Sequence, residues 1–286
     1  MQQDDPDITL ITASAPMQAD THGGRAKCLQ RLVRLDLPVP RTIALSFDAV
    51  HRIAAGEMPD MAALLAPFGA TPLLCVRPSS EDPDWGGPNA VLNIGMNDAR
   101  YLDLSEQIGK QAASDIYLRF VQSYAIHVAR LDPDVFEEVA PDPVQGLGEA
   151  LRAYEDETDE AFPQDPAVQL GQVLRSMARV LRQAKGAPKD AGLGLVVQQL
   201  ALGIGPGESG SGVMQLVDSR TGAQQITGRY LSQSQGRDAL RGGEDSIFLT
   251  RDPRGPSLEE LAPDAFAEIR AHTRLMREKL REEMQT

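Results

Sequence analysis

The sequence predicts an α+β protein of two lobes with a helical middle segment, and three observations predict it. Apolar runs suited to strands alternate with helical spacings over residues 1–100. Residues 101–190 read mainly as helix, and residues 191–286 turn β-rich before a closing helix. A chain of 286 residues, 42% hydrophobic and 24% charged, can bury a sizeable core and has the composition of an ordinary folded protein.

The elements follow in order. Ile8-Thr-Leu-Ile11 reads as a strand, and Gly23-Gly24 as a turn opening a helix whose apolar positions are Leu29, Leu32, Val33 and Leu35. Pro38-Val39-Pro40 ends that helix, because proline lacks a backbone donor and fixes φ. Thr42-Ile-Ala-Leu45 is a strand, after which Ser46 caps a helix through Val50 and Ile53. Pro72 to Arg77 is a buried strand with an arginine at its end, leading into a turn-rich stretch from Pro78 to Pro88. Ile116, Phe120, Val121, Tyr124 and Val128 form the stripe of a middle helix, and the acidic, proline-containing stretch from Glu155 to Pro166 divides the helical block. Gly186 to Gly194 reads as a linker. Strands at Leu195–Gln198 and Gly212–Val217 flank a Gly-rich loop from Gly203 to Gly212, and the turn Asp218-Ser-Arg-Thr-Gly222 makes a hairpin with Gln224 to Leu231. A helix from Pro263 to about Glu283 closes the chain.

The formal net charge of −13 argues against nonspecific nucleic-acid binding. The one dense basic run, Arg270 to Arg281, is interleaved with Glu268, Glu278 and Glu282 and reads as a solvated helix face, with an interaction tail as the alternative. Two cysteines, Cys28 and Cys75, lack C-x-x-C spacing, which argues against a disulfide framework or a structural zinc site and for a reducing compartment. Asp4, Asp5 and Asp7 stand where a secretory signal carries basic residues, and no apolar run reaches the roughly 18 residues of a membrane helix. A cytoplasmic protein without a membrane partner is expected.

The candidate chemistry is anion binding. Glycines in Gly203 to Gly212 let successive backbone N–H groups face a phosphate, with Ser209 and Ser211 adding hydroxyls; the loop lacks a P-loop lysine, and a mobile hairpin loop would share its composition. The helix opened by Gly23-Gly24 presents Arg25 and Lys27 near its N-terminus, an anion site or simply a solvated helix start. Arg77 either meets a ligand or pairs with Glu81 or Asp82. The four histidines, His22, His51, His127 and His272, have no nucleophile or carboxylate at recognisable spacing, and no metal-binding motif occurs.

These pieces, in this order, resemble the N-terminal nucleotide-binding domain of the pyruvate phosphate dikinase family, in the ATP-grasp group. Gly23-Gly-Arg-Ala-Lys-Cys-Leu29 with Leu37-Pro-Val-Pro40 is similar to the family's G-G-K-G-x-N-L and L-P-V-P. Val76-Arg77, Val91 to Asp98, Asp115 to Phe120 with Gln122 and Tyr124, Phe162-Pro-Gln-Asp-Pro166, Val197-Gln198, Glu208 to Gly212, Thr221-Gly222, Gly228 to Leu231 and Gln235-Gly236 each resemble a family signature. The resemblance implies a two-lobed ATP-grasp-like fold that clamps ATP, with phosphoryl transfer to a histidine on a separate carrier domain and from there to pyruvate. It assigns nucleotide contacts to Arg77 and to the lid Ser209-Gly210-Ser211-Gly212, and points to Arg25 and Gln198 as further binding positions.

The departures carry as much weight. Arg25 replaces a phosphate-binding lysine with a planar fork, and Arg229 reverses the charge of a glutamate that faces the sugar. Glu81 replaces an arginine, and Leu216-Val-Asp-Ser219 replaces T-R-N-P. The family's metal-holding segment resembles M-Q-D-x-E-F; Met284-Gln285-Thr286 matches its first two letters, so Mg²⁺ ligands are expected to be missing. Phosphoryl transfer rests on metal-assisted charge neutralisation. The expectation is therefore a degenerate module, in effect a pseudoenzyme, that binds a nucleotide or a phosphate-bearing small molecule. The rivals are an active ATP-dependent phosphotransferase half served by a separate phospho-histidine carrier, and a scaffold that binds no nucleotide.

Overall fold

Five short runs, each bounded by turns or caps, assemble the first sheet: β1 (Ile8–Leu10), β2 (Thr42–Leu45), β3 (Leu74–Ser80), β4 (Val91–Ile94) and β5 (Leu193–Gln199). The computed structural model describes residues 7–81, 88–183, 192–218, 220–235 and 245–280. Asp4, Asp5, Asp82, most of the Gly186 linker, Ser219, Gly236, Arg281, Glu282, Glu283 and Met284 to Thr286, all invoked above, lie outside the described residues. The strand order is β1-β2-β5-β3-β4, antiparallel throughout. The α+β class is thus observed. The sequence reading opens its last segment at residue 191, yet β5 sits at the centre of the first sheet, because Thr42–Leu45 and Leu74–Ser80 both pair with it. The chain divides after Leu200 into two compact units.

Cross-strand partners share a face of a sheet. Ile43, Val197 and Val76 form one such row and Ala44, Val196 and Arg77 the next, so the two rows point to opposite sides. The Val76 side is buried beneath α5 (Lys110–Tyr124) and α7 (Pro166–Ala178), which supply Ile116, Phe120, Val121, Leu170 and Leu174. The other side receives α1 (Ala19–Arg34), whose Ala26, Leu29 and Val33 pack with Ile11, Met17, Ala44 and Val196.

Short polar side chains start the helices, Ser46 at the position the sequence predicts. The Ser46 hydroxyl accepts from the Ala49 N–H at 3.1 Å and donates to Asp7 at 2.8 Å, Asn97 caps α4 (Asp98–Ile108), and Asp165 caps α7. The Phe162-Pro-Gln-Asp-Pro166 signature is structural. Phe162 is the hub of an aromatic cluster with Tyr117, Phe120, Tyr124 and Tyr154, at centroid distances of 5.3–6.0 Å. Gln164 accepts from the Asp98 N–H at 2.8 Å, which ties this segment to the start of α4.

The second unit is a three-stranded antiparallel sheet of β6 (Gly210–Val217), β7 (Gln224–Ser232) and β8 (Ile247–Phe248), with a short helix Leu258–Leu261 and a long helix Pro263–Leu280. Tyr230, Leu249, Leu258 and Phe266 form its core, with Met214, Ile226 and Ile269 against them. Asp218 builds the hairpin turn by accepting the N–H groups of Arg220 and Thr221 at 2.8 and 3.0 Å. Among the described residues no helix is long and apolar enough to cross a membrane.

Candidate anion-binding site

Arg77 and Gln198 emerge on the α1 side of the first sheet, because Arg77 pairs with Val196 and Gln198 with both Thr42 and Cys75. Arg25 reaches the same region from α1. The helix crosses the sheet closely at a kink where Gly23 adopts φ 83° and ψ 164°, a conformation open essentially to glycine alone. A Cβ at Gly23 would overlap the Ser79 carbonyl, whereas one at Gly24 would meet nothing nearer than 3.7 Å. Ser79 fastens the crossing: its hydroxyl donates to the His22 carbonyl at 2.7 Å and accepts from the Ala26 N–H at 3.0 Å. One of the N–H groups that a bare helix start would offer to an anion is therefore taken by Ser79. Sequence reasoning passed over Ser79. Strand alternation from Arg77, two residues earlier, is the signal that places it on the α1 face.

The electrostatics follow from this packing. Arg25 donates to the Pro78 carbonyl, and burial, then the neighbouring Arg77, hold its pKa below the usual arginine value. Burial pushes the Cys75 thiol up to about 11, against the pull of both arginines. Arg77 is half-buried, and its side chain makes no hydrogen bond or ion pair among the described residues, Glu81 included. Two like charges drawn together, with no carboxylate paired to Arg77 among the described residues, create a local excess of positive potential, which an anion would relieve. Gln198 is differently engaged: it is buried, and its side-chain amide donates to the Thr42 hydroxyl at 2.8 Å.

The second unit holds the remaining candidates. The sequence reading takes Gly203 to Gly212 as one loop, but Gly210, Ser211 and Gly212 are the first residues of β6 and pair with Ser232, Leu231 and Tyr230. The physical reason is close approach: a Cβ at Gly212 would lie 2.8 Å from the Arg229 carbonyl. The Ser211 hydroxyl bonds that of Ser234 at 2.7 Å. Ser209 precedes the strand, and the loop around it is braced: the Gln233 side chain accepts from the Gly205 N–H at 3.0 Å and donates to the Gly207 carbonyl at 3.1 Å, while Tyr230 donates to Glu208 at 2.8 Å. Arg229 is also engaged, with its guanidinium 4.0 Å from the Phe248 ring centroid and a hydrogen bond to the Ser246 carbonyl at 3.3 Å.

Among the described residues no group of three or more His, Cys, Asp or Glu could hold a metal ion. His22 is buried at the α1 kink. Its Nδ1 lies 2.8 Å from the Thr21 hydroxyl, and its buried Nε2 has no partner among the described residues. Burial lowers its pKa, with Asp7 and Asp20 opposing. The fold thus favours neutral imidazole, so the unfolded chain binds the proton more readily. This contribution to stability is complete above the ordinary histidine pKa of 6.5 and is lost as pH falls through the depressed native value. Urea titrations across that range should show His22→Gln flattening the acid-side loss of stability relative to the parent.

Arg77 on the first sheet and Arg25 on the helix that crosses it at a glycine kink form a candidate anion site in an α+β domain, and similarity to dikinases gives the class. The chain is a pyruvate, phosphate dikinase-like domain, a divergent relative of proteins of that name. It is 32% identical to pyruvate, phosphate dikinase of Rhizobium meliloti (strain 1021) over 229 residues, which is 69% of this chain and 26% of the relative. It is 29% identical to the Clostridium symbiosum protein over 232 residues, 71% of this chain and 26% of that protein. Pyruvate, phosphate dikinase 2 of Oryza sativa subsp. japonica is 23% identical over 308 aligned positions, which cover 93% of this chain and 34% of the relative. The match spans about a quarter to a third of the length of these curated relatives. No family model matches the chain.

Proposed function

We propose that this domain binds a nucleotide, with ATP the first candidate, or another phosphate-bearing small molecule through Arg77 and Arg25, and serves as a binding or regulatory module. The observation that carries the reading is Arg77: a half-buried guanidinium beside a second one, with no ion-pair partner among the described residues. Such a pair fits a phosphate, which accepts two parallel N–H bonds from an arginine fork. The degenerate character is supported by Arg229, which is committed to Phe248, and by Gln198, which is committed to Thr42.

Calorimetric titration with ATP, with and without Mg²⁺, tests it. Arg77→Ala should weaken ATP binding by about 10- to 100-fold, the worth of one or two charge-assisted hydrogen bonds, while the thermal midpoint stays near that of the parent. Unchanged affinity in Arg77→Ala removes the assignment, and tight Mg²⁺-dependent binding with turnover removes the degenerate reading.

The names of the relatives favour a second reading. They are dikinases, and this chain matches about a quarter of the first two. The domain would then act as the nucleotide half of an ATP-dependent phosphotransferase, with a separate phospho-histidine domain accepting the phosphoryl group. Transfer of radiolabel from β-labelled ATP to such a domain would establish it.

A further inference from the structure

The long helix of the second unit carries a feature that nucleotide binding does not use. Arg270, Arg274 and Arg277 lie four and three residues apart, and with Thr273, Gln224 and Ile226 they line a groove of about 640 Å³ between the helix and β7. Arg277 anchors the wall: its Nη2 donates to the Leu216 carbonyl at 2.7 Å and the Gln225 carbonyl at 2.5 Å, where the β6–β7 register shifts. Its Nε is buried and has no partner among the described residues. Arg270 is exposed, and Arg274 meets Glu278 at 3.8 Å with both side chains largely in solvent, so that pairing neutralises little. A local surplus of guanidinium therefore lines an open groove on a chain whose overall charge is −13.

We propose that this groove docks an extended acidic segment of a partner protein. The arginines step along the helix by about 6 and 4.5 Å, so the row runs for about 10 Å, longer than a single phosphate or carboxylate can bridge. Alternate side chains of an extended peptide stand about 7 Å apart and face the same way, a spacing that brings successive carboxylates to successive arginines. Ile226, Ala267 and Ala271 give the groove an aliphatic lining that suits the methylene stems of the acidic side chains, and among the described residues no aromatic ring lines it to stack a base. Guanidinium forks pair bidentately with carboxylates, so the match is chemical as well as spatial.

The test uses the full chain and a fluorescein-labelled decapeptide of alternating Glu and Val, followed by anisotropy. Saturable binding that weakens about tenfold or more in R270E/R274E, and that falls as salt rises, is the expected result. R220E, an exposed change on the hairpin turn, should leave it intact. Arg277 is spared because its contacts hold the sheet, and unchanged thermal midpoints exclude misfolding. Equal affinity in the parent and R270E/R274E overturns the proposal. So does full competition by inorganic tripolyphosphate at equimolar concentration, which would show a small-anion site instead.

Discussion

Gly23→Ala is expected to cost about 4 kcal/mol or more, enough to leave the first unit poorly folded near body temperature. Two costs combine. The backbone at φ 83° and ψ 164° lies where residues with a Cβ are strained by about 1–3 kcal/mol, and the new methyl would overlap the Ser79 carbonyl in β3. Neither is cheaply relieved, since the Ser79 hydroxyl holds the helix on both sides of the kink. Gly24→Ala is the control: its nearest neighbour would be an ordinary 3.7 Å away, and alanine there should be neutral or mildly stabilising. Urea denaturation of the two variants measures the contrast. Similar stabilities would mean that α1 does not cross β3 as closely as described.

Gln169→Leu should be the next most damaging change, at about 3–5 kcal/mol. Gln169 is fully buried on α7; its side chain accepts from the Gly95 N–H at 2.7 Å and donates to the Met96 and Pro163 carbonyls at 2.9 and 2.7 Å. Leucine fills similar space but strands one buried donor and two acceptors, each costing about 1–3 kcal/mol if water cannot reach it. The loss should appear as a fall of about 10 °C in thermal midpoint. Hydrogen exchange at Gly95 would localise the effect, and protection there equal to the parent's would contradict it.

Local chemistry was the part of the fold legible in the sequence. Thr42–Leu45 is a strand to the residue, Ser46 caps the helix after it, and the stripe from Ile116 to Tyr124 is buried as its spacing requires. These features depend on neighbours in the chain. Long-range pairing was not legible. Nothing in Leu193–Gln199 says that it inserts between β2 and β3, and nothing in Gly210-Ser211-Gly212 distinguishes a phosphate cradle from a strand pressed against the Arg229 backbone. For the candidate site, the sequence singled out Arg25, Arg77 and Gln198, and all three bear on one side of one sheet. It could not tell that Gln198 is spent on Thr42, because hydrogen bonding between strands 156 residues apart leaves no local mark. One turn also escaped notice: after Tyr124 the chain widens into a π-helical turn, Ala125–Ala129, before Arg130 adopts φ 68°.

The parity of β3 has an evolutionary consequence. Leu74 and Val76 answer to the core, while Arg77 answers to whatever approaches from the other side. If Arg77 binds the ligand as proposed, recognition can drift by replacing it while the residues that keep the sheet buried go untouched, and a descendant could exchange its ligand without passing through an unfolded ancestor. Gain or loss of a single residue just before Leu74 would be another matter. It would swap odd for even along the strand, turning a guanidinium into the core and an aliphatic side chain out of it. Lineages carrying this domain should tolerate substitutions in β3 far more readily than changes in its length.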